Sequence, residues 1–249
     1  MFPWLLIEYE YNGGMPSSAE FPGLSSEAFQ FLKKLAKNND RDWFLPRKPI
    51  YEEQWQKPMT QLMAVLETEM KQNKIPLQRN PKAVLTRIYR DIRFSADKSP
   101  YQNFVSGALR RNGKKAAPGV LYVHMGANEQ FAAVGFWQPE RPALTNWRLH
   151  MHAEPKAFLT MLKQLKSKKL EIDPSHKLKR MPRGFESAEG SPIGEFLRFQ
   201  SFVIMRPLTS SETLSPQLPK VITRFALDAK PLLDYGWSVP EQKTDFFEK

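Results

Sequence analysis

The chain has no cysteine in 249 residues. Disulfides, thiolate nucleophiles and cysteine-ligated zinc or iron–sulfur centres are therefore excluded. Long apolar runs are missing too: no stretch approaches the roughly 20 residues of a membrane span, so a membrane is not expected as a partner. The opening MFPWLLIEYEYNGG has an apolar patch but no basic residues ahead of it, and acidic residues follow at once, which does not fit a signal peptide. There is no Walker A loop, no dinucleotide-binding glycine fingerprint and no serine elbow. His150 and His152 lie two apart in a helical stretch and do not share a face, so no histidine-ligated metal is expected. No cofactor is implied. These absences describe a cytoplasmic protein whose chemistry rests on oxygen and nitrogen side chains.

What the chain does have is apolar content and positive charge. A 41% hydrophobic fraction is enough to fill a core at this length. The net charge of +11 is unevenly placed. Residues 81–120 hold nine Lys/Arg against two Asp, and residues 156–183 hold nine Lys/Arg against Glu171 and Asp173. Two basic segments on a chain otherwise close to neutral suggest attraction to something anionic. The plain alternative for the lysines Lys163, Lys166, Lys168 and Lys169 is a solvated helix end.

Hydrophobic spacing supplies the elements. Ser25-Ser26-Glu27 signals a helix start, with Phe29, Leu32, Leu35 and Ala36 following at helical intervals and Asn38-Asn39 ending the run. Tyr51, Trp55, Met59, Leu62, Leu66 and Met70 mark a second amphipathic helix, kinked at Pro58. Trp43, Phe44, Tyr51 and Trp55 read as core rather than as a stacking platform. Residues 72–81 read as loop. Strands are expected over Ala83–Phe94, Phe104–Leu109, Leu121–Met125, Phe131–Trp137 and Phe199–Met205, the third and fourth joined as a hairpin around Gly126-Ala127-Asn128. Helices are expected over Arg141–His152 and Pro155–Leu165. A closing helix over Pro219–Tyr235 is disturbed by Pro231 and stopped by Gly236. The fold class is α+β: a mostly antiparallel sheet of at least four strands flanked by several helices, in a single domain over 21–240. Residues 1–20 read as an appended flexible arm, with Met15 a candidate natural start, and 241–249 as a tail.

The stretch Ala83–Tyr101, AVLTRIYRDIRFSADKSPY, gathers the chemistry. As a strand it puts Val84, Thr86, Ile88, Arg90, Ile92 and Phe94 on one face and Leu85, Arg87, Tyr89, Asp91 and Arg93 on the other. Guanidiniums two residues apart on one face stand roughly 6.5–7 Å from each other, close enough to converge on one ligand. Asp97, Lys98 and Ser99 follow in a turn that Pro100 ends in extended chain before Tyr101. Either the cluster is an anion pocket, or it is an internal network of ion pairs that fixes the loop. A second basic run, Leu178–Phe185, is shaped by Pro182 and Gly184 and carries Arg180 and Arg183, which either reach the same pocket or pair with Glu186.

The run Arg87-Ile-Tyr-Arg90-Asp91-Ile-Arg93-Phe94-Ser-x-Asp97-Lys98-Ser99-Pro100-Tyr101 resembles the signature of a family of conserved hypothetical proteins, domain of unknown function 2461. Phe31-Leu32, Asn38-Asn39, Trp43-Phe44, Tyr51, Pro58, Lys179-Arg180-x-Pro182-Arg183-Gly184-Phe185 and the Leu197–Phe202 run agree with it. The resemblance spans 21–236. It implies a single domain and groups these residues, and it supplies no mechanism.

Three functions compete. The first is recognition of a phosphorylated or carboxylated small molecule by Arg87, Tyr89, Arg90, Arg93 and Lys98, with Arg180 and Arg183 in support. The second is an enzyme using the same pocket, with Asp91 or Asp97 as general base and Tyr101 as a further acid–base group. The third, less favoured, is a nucleic-acid-binding module using both basic segments.

Overall fold

The computed structural model describes residues 21–80, 82–114 and 117–240. The expected arm and tail lie outside these residues. The architecture is α+β. A five-stranded antiparallel sheet runs in the order β1 (Leu77–Arg79), β2 (Phe104–Arg111), β3 (Val120–Gly126), β4 (Gln130–Phe136) and β5 (Phe202–Pro207). The chain divides into two compact units. One takes in the chain up to Ala117 together with Leu121–Ala132 and Arg206–Arg224; the other takes in Pro118–Val120, Ala133–Met205 and the chain from Phe225 onward.

In the first unit, helix α1 (Ser26–Lys37) starts as its cap predicts. The Ser25 hydroxyl accepts from the Ala28 backbone N–H at 3.0 Å, Glu27 sits in the positive first turn, and Lys34 and Lys37 sit in the last. Phe31, Leu32 and Leu35 form the buried stripe. Helical chain resumes at Arg41, passes through a 3₁₀ turn at Leu45–Arg47, and becomes a π turn over Glu52–Gln56 just before helix α2 (Lys57–Gln72). The interruption expected at Pro58 is thus a π turn within continuous helical chain, where the Lys57 N–H donates to the Glu52 carbonyl, and Pro58 follows it directly. Trp55 is fully buried and its indole N–H donates to the Ala28 carbonyl at 2.8 Å, tying this turn to α1. Helix α2 packs on β1 and β2 through Met59, Leu62, Met63 and Leu66. A Cβ on Gly107 would stand 2.8 Å from the Met63 side chain, so the glycine sets how closely helix and sheet approach.

Two expectations fail near the sheet edge. Strand β1 lies inside the 72–81 stretch read as loop; its three residues between Pro76 and Asn80 are too few to show a period. The strand expected over Ala83–Phe94 is instead irregular extended chain, held by isolated bridges from Leu85 to Gly107 and from Tyr89 to Tyr101. Pro100 on the returning limb has no N–H to give, so the ladder breaks there.

In the second unit, α3 (Arg141–Ala153) and α4 (Pro155–Ser167) follow the sheet. Trp147 of α3 stacks on Phe202 of β5 at 4.1 Å and meets Phe136 of β4 at 5.1 Å. Gly135 has φ +141°, and a Cβ there would come within 2.1 Å of the Phe202 carbonyl oxygen, so only glycine fits this point of the β4–β5 pairing. The closing helix divides into α5 (Leu218–Asp228), whose residues up to Arg224 belong to the first unit, and α6 (Lys230–Ser238), with Pro231 in the first turn of α6. Gly236 does not stop this helix. It is buried within α6, where a Cβ would lie 2.2 Å from the Phe136 ring; its role is close packing.

Candidate functional site

The motif stretch leaves the sheet edge as a loop closed by its own charges. Backbone bonds from Thr86 to the Ser106 carbonyl (2.8 Å), from Gln102 to that of Ile88 (2.7 Å) and from Arg90 to that of Pro100 (2.9 Å) align its two limbs. Arg90 reaches across to the Asp97 carboxylate and to the Ser99 carbonyl, the latter at 3.2 Å. Arg93 folds back on Asp91 in a two-pronged pair at 3.0 and 2.7 Å. Lys98 donates to the Ile92 carbonyl at 3.0 Å. Arg87 makes no hydrogen bond or ion pair among the described residues, although its charge helps to keep Asp91 ionised.

These contacts set the chemistry of the acids. Hydrogen bonds from the Arg93 side chain and backbone hold Asp91 down to about 2. Bonds from Ser99, then Arg90, hold Asp97 well below the usual carboxylate range. Carboxylates so strongly ionised are weak proton acceptors at neutral pH. Tyr101 is buried, with its ring 4.2 Å from Phe44 and 5.3 Å from the half-exposed Tyr89. Burial raises the pKa of its phenol, so it stays protonated. The Asn39 side chain pairs with both the N–H and the carbonyl of Tyr101, each at 2.9 Å, and so fixes the end of the motif. Phe94, expected on the apolar face, is 96% exposed at the loop tip, because the chain turns at Arg93-Phe94 before a strand face can form.

Arg180 and Arg183 belong to the second unit. Their turn is anchored where Lys177 bridges Phe199 and where Lys177 pairs with Glu195 at 2.9 Å. The Glu186 carboxylate accepts from the Gly184 backbone N–H at 2.9 Å rather than from either arginine. Arg180 is exposed. Arg183 lines a recess of about 310 Å³ with Thr145, Arg148, Pro182 and Phe185. The Arg148 guanidinium is held in place by its Nε–H, which donates to the Leu197 carbonyl at 2.8 Å, and by one Nη, which donates to that of Phe199 at 3.4 Å. Its remaining N–H groups are left over. Burial depresses its pKa, and among the described residues no carboxylate lines the recess.

Sequence reasoning passed over Arg148 and Thr145, because a single arginine in an amphipathic helix carries no local signal. His124 reads in the sequence as an unremarkable strand histidine. That ring, 4% exposed, lies between Phe104 at 4.6 Å and Phe131 at 4.7 Å. Its Nδ1 is 3.2 Å from the Tyr122 hydroxyl, and its Nε2 is 3.7 Å from the Glu129 carboxylate. Tyr122 bonds in turn to Ser106, whose hydroxyl is 2.7 Å from that of Thr86. Burial lowers the His124 pKa to about 4. The alternation Phe104-x-Ser106 and Tyr122-x-His124 was readable as one polar sheet face.

Among the described residues no three His, Asp or Glu side chains are grouped as a metal would need, and no helix is long and apolar enough to cross a membrane. A family model described as conserved hypothetical protein (DUF2461) matches residues 27–235. No curated protein and no solved structure matches the chain.

Proposed function

Because the chain belongs to this conserved hypothetical family, whose function is unknown, its role has to be read from geometry, and we propose that it binds a small phosphorylated or carboxylated molecule in the recess lined by Arg148 and Arg183. The observation that carries this reading is two guanidiniums in one recess whose lining holds no carboxylate. A partly buried cation without an acidic neighbour is costly, and an anion entering the recess supplies the missing partner. Thr145 offers a hydroxyl, and the buried Phe185 gives an apolar wall. Each charge-assisted contact is worth about 1.5–3 kcal/mol, so two guanidiniums place a small anion in the micromolar to millimolar range. In the motif, Arg90, Arg93 and Lys98 already have internal partners, which favours a loop-fixing role there and leaves Arg87 as the residue open to a ligand.

Calorimetric titration with inorganic phosphate, pyrophosphate and citrate tests the proposal. Arg183 is exposed and makes no hydrogen bond or ion pair among the described residues, so Arg183→Ala should weaken binding about tenfold with an unchanged melting temperature. Affinity that survives both Arg183→Ala and Arg148→Lys removes the recess from consideration. Loss on Arg87→Ala alone moves the anion site to the motif. A steep decline in affinity for a duplex oligonucleotide with salt, with no response to the small anions, favours the nucleic-acid reading instead.

A second reading, acid–base catalysis, has one observation in its favour. In the Thr86–Ser106–Tyr122–His124 chain each hydroxyl can donate toward the neutral imidazole, whose other N–H faces Glu129. Turnover of a candidate substrate that is lost in both Tyr122→Phe and His124→Gln, with the fold retained, would support it. Turnover indifferent to both would dismiss it.

A further inference from the structure

The groove between α4 and α6 differs in chemical character from the arginine recess. It lies within the second unit and encloses about 630 Å³. Thr160, Gln164 and Ser167 line it at successive turns of α4, while Lys230, Asp234 and Ser238 line it at four-residue intervals on α6. Tyr235 is also in its wall, 7% exposed, with its ring 5.3 Å from Phe158 and 5.4 Å from Trp147. The Tyr235 hydroxyl is buried and has no hydrogen-bond partner among the described residues. Buried polar atoms are nearly always paired, so this one points to something that arrives from outside.

We propose that this groove binds a neutral, polyhydroxylated ligand of mono- or disaccharide size, with the Tyr235 hydroxyl as its deepest contact. Two properties of the lining select that class. The first is charge: Lys168 stands 3.8 Å from Asp228, and Lys230 stands 2.5 Å from Asp234. Each cation has an acid beside it, so the groove offers no net attraction to a charged ligand. The second is the direction of its hydrogen bonds. The hydroxyls of Thr160, Ser167 and Ser238 already donate to the backbone carbonyls of Lys156 (2.8 Å), Gln164 (2.7 Å) and Tyr235 (2.7 Å). They can present only lone pairs to a ligand, as the two aspartates do. With the Gln164 amide and the Lys168 and Lys230 ammoniums as donors beside these acceptors, the wall matches a ligand whose groups both accept and donate, and sugar hydroxyls do both without carrying charge. Met161, Leu227 and Pro231 supply the apolar strip against which the C–H face of a sugar ring packs. The inference is independent of the anion recess.

Titration calorimetry of the full chain with maltose, and with glucosamine and glucuronate as charged counterparts, provides the test. Maltose should bind with a millimolar or tighter Kd, and the charged sugars more weakly. Tyr235→Phe should weaken maltose about fivefold, the loss of one hydrogen bond, without lowering the melting temperature, since the hydroxyl has no partner among the described residues. Gln164→Ala, at an exposed position, serves as the second variant. Absence of maltose heat at about 50 mM, far above any specific Kd, overturns the proposal. So does undiminished binding in both variants, or tighter binding of either charged sugar.

Discussion

Acidification should destabilise this protein through His124, by an amount that follows from the ring's surroundings. Burial between Phe104 and Phe131 disfavours the imidazolium, and the Glu129 carboxylate at 3.7 Å is too exposed to compensate, so the folded pKa falls from 6.5 to about 4. The unfolded chain therefore takes up a proton at a higher pH than the folded one. Above the unfolded value neither state is charged and the group contributes nothing. As the pH drops through the window between 6.5 and about 4, the unfolded state gains a proton that the native state cannot hold, and stability declines. The cost amounts to roughly 2 kcal/mol by pH 5 and about 3 kcal/mol by pH 4, and levels off below. Urea denaturation at pH 7.5, 5 and 4 measures it. His124→Gln, which cannot titrate, serves as the reference, because acid effects from other groups are common to both proteins. The difference between wild type and variant should shrink by these amounts on acidification. A difference independent of pH would refute the account of a neutral, desolvated ring.

Three further outcomes follow from particular contacts. Asn39→Ala removes both side-chain bonds to the Tyr101 backbone and should cost about 2 kcal/mol in chemical denaturation, with the motif loop more open to limited proteolysis. Gly135→Ala forces a Cβ against the Phe202 carbonyl at a φ of +141° and should cost about 3 kcal/mol or more, seen as a sharply lowered melting temperature. Phe94→Ser should leave the melting temperature unchanged, because the ring is almost wholly in solvent; a clear loss of stability would mean that Phe94 packs against the fold.

Legibility differed by element, and the reason is range. Helix α1 was readable because its cap, first-turn acid and last-turn lysines all act within four residues. Strands β2, β3 and β4 are short, largely buried runs bounded by turn residues, and the β3–β4 turn closes locally by a 2.8 Å bond from the Gly126 N–H to the Glu129 carbonyl. The motif stretch alternates, yet forms no strand. Its residues face a partner limb interrupted by Pro100, and alternation alone does not say whether a partner can complete the ladder. Gly236 looked like a helix stop because the ring of Phe136, a hundred residues earlier in the chain, is invisible to a local reading.

The chain's own order of residues determined the α+β class, the apolar stripes, the caps, the basic segments and the long motif by which its family is known, because each is a property of neighbours along the backbone. Tertiary structure decided which charges are neutralised. It folded Arg93 onto Asp91 and Arg90 onto Asp97, it set Arg148 beside Arg183 in a recess without acids, and it buried His124 between two phenylalanines. Charge neutralisation and desolvation depend on distances of a few ångströms between residues far apart in the chain, and only the packed fold sets those distances.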